Sequence, residues 1–250
     1  MLGWPHAGGA PPPPVPTAQE ELRAAKLMEA ALFARAAGKE DWDKMDGTFT
    51  VLEAKYPQDA AIKNGHAEFL WSIDERQRAV DAWLAAEKID PGNATVLDHL
   101  AGCFFDAGNV KKAADYYRRA TVSAPDDAAG HFSYANVLFL FRHELQDAAH
   151  PDGNAVLDEA LRQFAEACRL QPLDANYARA FAETYYTMPA PDWHAALAAW
   201  QHFYDVSPQK DFALLNLARV HMKLGQKAGG PDEPGADPRP GVLAAESPVK

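Results

Sequence analysis

The stretch ATVLDHLAGCFFDAGNVKKAADYYRRATVSAPDD, residues 94–127, decides the fold. Its last part, YYRRATVSAP, is an amphipathic helical ending closed by Pro125, because proline lacks an N–H and cannot continue a helix. Reading outward from it, the same ending recurs. AWLAAEKIDP closes at Pro91, QFAEACRLQP at Pro172, AWQHFYDVSP at Pro208 and, more loosely, TFTVLEAKYP at Pro57. The closing prolines are 34, 34, 47 and 36 residues apart. A near-fixed period of this size implies stacked units, none of which buries enough surface alone.

The chain has 250 residues and 19 prolines. Besides the five that close units, six fall in residues 1–18 and five in residues 231–250. Ends of that composition exclude packed helix or central strand, so 1–19 and 227–250 are expected to be disordered tails. The run Pro11–Pro16 favours polyproline II and reads as a stiff spacer. The last three prolines lie in two insertions. FRHELQDAAHPDGNA carries Pro151, and TMPAPDW carries Pro189 and Pro191.

With its period and its residues, the sequence resembles the tetratricopeptide-repeat family, whose unit is two antiparallel helices in 34 residues. The matches in 94–127 are Leu97, Leu100, Ala101, Phe104, Gly108, Ala113, Tyr117, Ala120 and Pro125. In 60–93 they are Ala67, Leu70, Ala79, Trp83, Ala86 and Pro91; in 128–174, Ala135, Leu138, Ala160, Phe164, Ala167 and Pro172. In 175–210 they are Ala182, Tyr185, Ala196, Trp200 and Pro208, and 211–226 matches a first helix alone. Met45, Leu52 and Phe203 stand where the family places small residues. The resemblance implies an all-α solenoid over 20–226, with repeats at about 24–59, 60–93, 94–127, 128–174 and 175–210 and a terminal helix at 211–226. Alanine where two helices cross lets their backbones approach, and the aromatic one turn on fills the space between units.

Composition narrows the function classes. The formal charge is −11, which disfavours a phosphate backbone or an anionic membrane as the main partner. No apolar run is long enough to span a bilayer, and residues 1–10 lack a basic region followed by an apolar one. A cytoplasmic location is therefore the default expectation, with a periplasmic or secreted one if the true N-terminus lies further upstream. No phosphate loop, dinucleotide fingerprint, nucleophile elbow or zinc motif is present, so no enzyme activity, cofactor or metal is expected. His143, Asp147, His150 and Asp152 in the first insertion read as a solvated polar loop. Cys103 and Cys168, inside AGCFF and AEACRL, read as small core residues.

The family binds extended peptides along a concave face lined by first helices, so the resemblance implies a protein or peptide partner held there. Same-face spacing selects Asn64, Glu68 and Trp71, then Asp98 and Phe105, then Phe132, Asn136 and Phe139, then Arg179, Glu183 and Tyr186. Trp71, Phe105, Phe139 and Tyr186 recur at one repeat position. They serve either as anchors for a partner or as packing between helices. Asn64 and Asn136 are candidates to hold a peptide backbone. Some family members grip a C-terminal carboxylate with basic side chains; Glu68 and Asp98 on this face would repel one. The terminal helix offers Phe212, Leu215, Val220 and Leu224 as a candidate oligomer surface. The leading expectation is a non-enzymatic interaction scaffold. The alternatives are a structural subunit docking through the terminal helix and insertion, or a regulatory partner of an enzyme on another chain.

Overall fold

A computed structural model describes residues 15–35, 37–147 and 151–225. Pro11–Pro14, His150 and the tail from 227 lie outside these residues. All regular structure among the described residues is helical, in two compact units divided after Leu170. The first holds α1 (Ala18–Ala34), α2 (Lys39–Lys55), α3 (Ala60–Ser72), α4 (Arg76–Ile89), α5 (Ala94–Asp106), α6 (Val110–Ser123), α7 (Ala128–Leu140) and α8 (Gly153–Leu170). The second holds α9 (Ala175–Thr184), a 3-10 turn at Tyr185–Thr187, α10 (Trp193–Val206) and α11 (Lys210–Lys223).

Helix ends follow the sequence punctuation. α2, α4, α6, α8 and α10 each stop two residues before their closing proline. Two residues after four of those prolines stands Asp59, Asn93, Asp127 or Asp174, whose side chain accepts from the first free N–H groups of the next helix. The first turn inside a repeat needs a left-handed residue. Gly108 supplies it at φ 75°, and Asp74 occupies the same place one repeat earlier at φ 66°.

α1 begins earlier than the sequence reading placed the array. Residues 18 and 19 are helical, not tail. The cause is a capping box: the Thr17 hydroxyl accepts from the Glu20 N–H at 3.3 Å, and the Glu20 carboxylate accepts from the Thr17 N–H at 2.8 Å. The Thr-x-x-Glu signal was present in the sequence.

In the first unit each first helix packs on its own second helix, and each second helix on the next first helix. The small positions are closed to solvent: Ala67, Ala79, Ala86, Ala101, Ala113, Ala135, Ala160 and Ala167 are fully buried. Trp83 and Phe164 fill the spaces beside them. Where a large residue replaces a small one, it is absorbed. Met45, Leu52 and, in the second unit, Phe203 are all buried, and Phe203 meets Trp200 and Phe212 edge-on at 5.8 and 6.1 Å. Cys103 and Cys168 are buried, and burial pushes the Cys103 thiol up to about 11.

The first insertion lies between α7 and α8. Its Leu145 turns back into the core beside Tyr134, Val137 and Leu138. The second insertion follows the 3-10 turn and leads into α10.

An ionic cluster ties the first repeat to the second. His66 on α3 is buried, its Nδ1 at 2.6 Å from Glu53 Oε1 and its Nε2 at 2.8 Å from Asp46 Oδ1. Arg78 donates to both Asp46 oxygens at 2.9 Å, and Lys63 donates to Glu53 at 3.0 Å. Burial alone would raise Asp46, but the His66 and Arg78 hydrogen bonds outweigh it and hold its carboxyl below the usual range. The His66 hydrogen bond, with Lys63 behind it, does the same for Glu53.

Candidate functional site

In the first unit the first helices form a continuous surface, shown by side chains that bridge them. Lys26 on α1 pairs with Glu68 on α3 at 2.9 Å, and His99 Nε2 on α5 lies 3.4 Å from the other Glu68 oxygen. The His99 contact comes first among the causes that lower Glu68 to about 2; Lys26 and Asn64 add to it. Glu68 is therefore a fixed anion spoken for by two cations or donors on neighbouring helices.

Asn64 is equally committed. Its Nδ2 donates to Glu68 at 2.8 Å, and its Oδ1 accepts from the Trp83 indole at 2.9 Å. Its amide is therefore already used inside the protein. Asn136 donates to the Phe132 carbonyl, one turn back on its own helix, at 2.9 Å.

The aromatic positions of this unit are half-buried, and each meets another ring or cation. Trp71 lies 5.6 Å from Trp83, with the Arg76 guanidinium 3.8 Å over its face. Phe105 meets Phe141 edge-on at 5.8 Å, and Phe132 and Phe139 meet Phe164 at 5.6 and 6.4 Å. These rings pack against neighbouring elements and stay partly open to solvent.

Asp98 differs from all of them. It is half-buried on α5 and makes no hydrogen bond or ion pair among the described residues. Burial raises its carboxyl above the usual range; His99 opposes this and Asp127 reinforces it. Around it stand Gly102, whose missing side chain leaves the surface low, and the half-buried Tyr117, pushed up to about 12 by burial and by the Asp98 and Asp106 charges. Asp98 thus stands among phenolic and acidic neighbours, with the His99 charge opposing the rise of its carboxyl.

The second unit carries Arg179, Glu183 and Tyr186 on one side of α9 and its extension. Arg179 donates to Glu183 at 2.8 Å and lies 4.8 Å over the Phe212 ring. The Tyr186 hydroxyl donates to the Asn216 carbonyl at 3.2 Å, and its ring rests near Trp193 and Trp200. Of the candidate oligomer residues on α11, only Leu215 is openly exposed. Phe212 and Leu224 are partly covered, and Val220 is completely buried, because the helix presents that side to its own unit. Leu214 and Met222 join Leu215 on the open side.

Among the described residues no three His, Cys, Asp or Glu side chains converge as a metal-binding group, and no helix is long and apolar enough to cross a membrane.

Paired antiparallel helices, alanines at the crossings, an aromatic beside them and a closing proline together define the tetratricopeptide-repeat fold. Comparison with solved structures gives the same fold. The chain is similar to YrrB, described as a TPR protein with an unusual peptide-binding site, at 18% identity over 71% of this chain and 84% of that one, with a TM-score of 0.57. It is similar to pilF of Pseudomonas aeruginosa at 15% identity over 83% and 86%, TM-score 0.57. A MamA RS-1 double mutant follows at 13% identity over 77% and 98%, TM-score 0.55. No protein-family profile matches the sequence, and no curated protein does.

Proposed function

We propose that the protein is a non-enzymatic interaction scaffold whose first-helix face in the first unit, from α3 to α7, holds an extended segment of a partner protein. The carrying observation is Asp98: a half-buried carboxylate that makes no hydrogen bond or ion pair among the described residues, two turns before the half-buried Phe105 on α5. An unpaired buried charge is costly unless something completes it. A Lys or Arg side chain from a partner does so, while the ring edges of Phe105 and Phe139 cover its apolar stem. The repeat fold supplies a preformed surface, so little reorganisation opposes binding. YrrB, with its peptide-binding site, is a precedent for the same fold in that use.

The test is selection from a random peptide library displayed against the purified chain. Bound sequences are expected to be enriched in Lys or Arg. Asp98→Asn is expected to erase that enrichment and Phe105→Ala to weaken all binders, with helical content unchanged. Equal selection by the wild type and Asp98→Asn would remove Asp98 from the site.

A further inference from the structure

A cleft of about 220 Å³ lies between α6, α7 and the first insertion. The insertion builds one wall of it. The Phe141 carbonyl accepts from the Glu144 and Leu145 N–H groups at 2.9 and 3.0 Å, and Leu145 is buried beside Tyr134, Val137 and Leu138. That anchor brings Asp147, two residues on, to the cleft. Ala114 on α6 and Leu138 on α7 line it as well, so much of its wall is aliphatic. Pockets for drug-sized ligands run to about 300–1,000 Å³, so this one suits a smaller molecule.

The polar groups of the cleft are not all used within the protein. Tyr134 is only 4% exposed, lines the cleft and makes no hydrogen bond among the described residues. Its oxygen is not sealed inside the protein, so the cleft is what it opens on. A buried hydroxyl without a partner is costly until something completes it. Burial pushes it up to about 12; Glu159, Asp147 and Asp115 reinforce the rise and Arg118 opposes it. It therefore stays a hydroxyl, in surroundings where carboxylates outnumber cations. Lys111, one helical turn before Asp115 on α6, lines the same cleft and makes no hydrogen bond or ion pair among the described residues. Arg118 is different, because it pairs with Asp115 at 2.7 Å.

These groups select the charge of a ligand. A simple cation would meet Lys111, and a simple anion would meet the carboxylates around Tyr134. A small dipolar molecule satisfies both ends at once. An α-amino acid carries its ammonium and carboxylate on one carbon, and an aliphatic side chain on it matches Ala114, Leu138 and Leu145. We infer that the cleft between α6, α7 and the first insertion binds a free aliphatic α-amino acid, its carboxylate held by Lys111 and its ammonium by the Tyr134 hydroxyl oxygen. This goes beyond peptide capture at Asp98, and none of the groups it uses belongs to that site.

The experiment is calorimetric titration of the full chain with three probes of one shape, at about pH 6.5 so that the amines are charged. L-leucine has both charges. Leucinamide lacks the carboxylate, and 4-methylpentanoate lacks the ammonium. Leucine is expected to bind, and the other two to bind roughly tenfold or more weakly. Tyr134→Phe, which removes one oxygen, is expected to weaken leucine by a similar factor. Lys111→Met, at an exposed position, is expected to remove the preference for leucine over leucinamide, with unchanged circular dichroism. Asp98→Asn is expected to bind leucine like wild type. No heat with leucine, equal binding of leucine and either analogue, or a Lys111→Met variant that keeps the preference overturns the inference. So does leucine binding that survives Tyr134→Phe intact or is lost in Asp98→Asn.

Discussion

At the residue scale, two carboxylates on successive first helices, α3 and α5, show how partners decide a side chain's role. Glu68 and Asp98 look alike in sequence: both are acidic and both point from first helices. Glu68 is encircled by His99, Lys26 and Asn64, and its pKa falls to about 2. Asp98 makes no ion pair among the described residues, and burial raises its pKa against the opposing His99 charge. Glu68 is thus committed within the protein, whereas Asp98 makes no hydrogen bond or ion pair among the described residues. The sign for Glu68 is fixed by linkage. A carboxylate lowered from 4.5 to about 2 stabilises the folded state above pH 4.5, and that contribution is lost as pH falls from there towards 2. Thermal melts between pH 7 and pH 3 are expected to show Glu68→Gln less stable than wild type at pH 7. The difference should shrink as the pH drops through this window. A gap that stays constant with pH would mean that the Glu68 charge is not what its neighbours stabilise. Because Glu68 is about one-third exposed, the effect is modest.

At the element scale the sequence was legible where local chemistry acts alone. Helix stops sit two residues before Pro57, Pro91, Pro125, Pro172 and Pro208, because no competing contact overrides a missing N–H. The buried alanines were legible for the same reason, since their register repeats. What a side chain does across helices was not. The commitment of Asn64 to Trp83 and Glu68, and the clasp of His66 by Asp46 and Glu53, depend on which neighbour lies within 3 Å, which spacing along one chain does not report. One irregularity of the punctuation carries a prediction. After Pro208 the cap position of α11 is Gln209, which makes no side-chain cap bond, whereas the other closing prolines are followed by Asp or Asn. Gln209→Asp supplies the missing acceptor and favours the positive end of the helix. It is expected to stabilise α11 by about 0.5–1 kcal/mol, read as a higher melting temperature. An unchanged or lower melting temperature would show that the Ser207 hydroxyl, which accepts from the Gln209 N–H at 2.9 Å, already serves as the cap.

At the scale of the whole molecule, charge and repetition act together. A repeat array distributes stability over nearest-neighbour contacts, so its exposed faces are free to vary without loss of the fold. The formal charge of −11 then sets a field that extends beyond any one contact. A Lys- or Arg-bearing partner of the kind proposed would be drawn toward such a surface before touching Asp98, and an acidic one would be held off. Long-range attraction acts on the encounter, whereas short-range packing acts on release. The two are separable by kinetics. For a basic peptide selected as above, raising ionic strength from low to about 0.5 M salt is expected to slow association by roughly tenfold or more, because the screening length shrinks to a few ångströms. Dissociation should change far less. Phe105→Ala is expected to do the opposite, speeding dissociation with little effect on association. An association rate indifferent to salt would mean that the acidic surface does not steer the partner, and a Phe105→Ala effect confined to association would mean that its ring edge is not part of the bound contact.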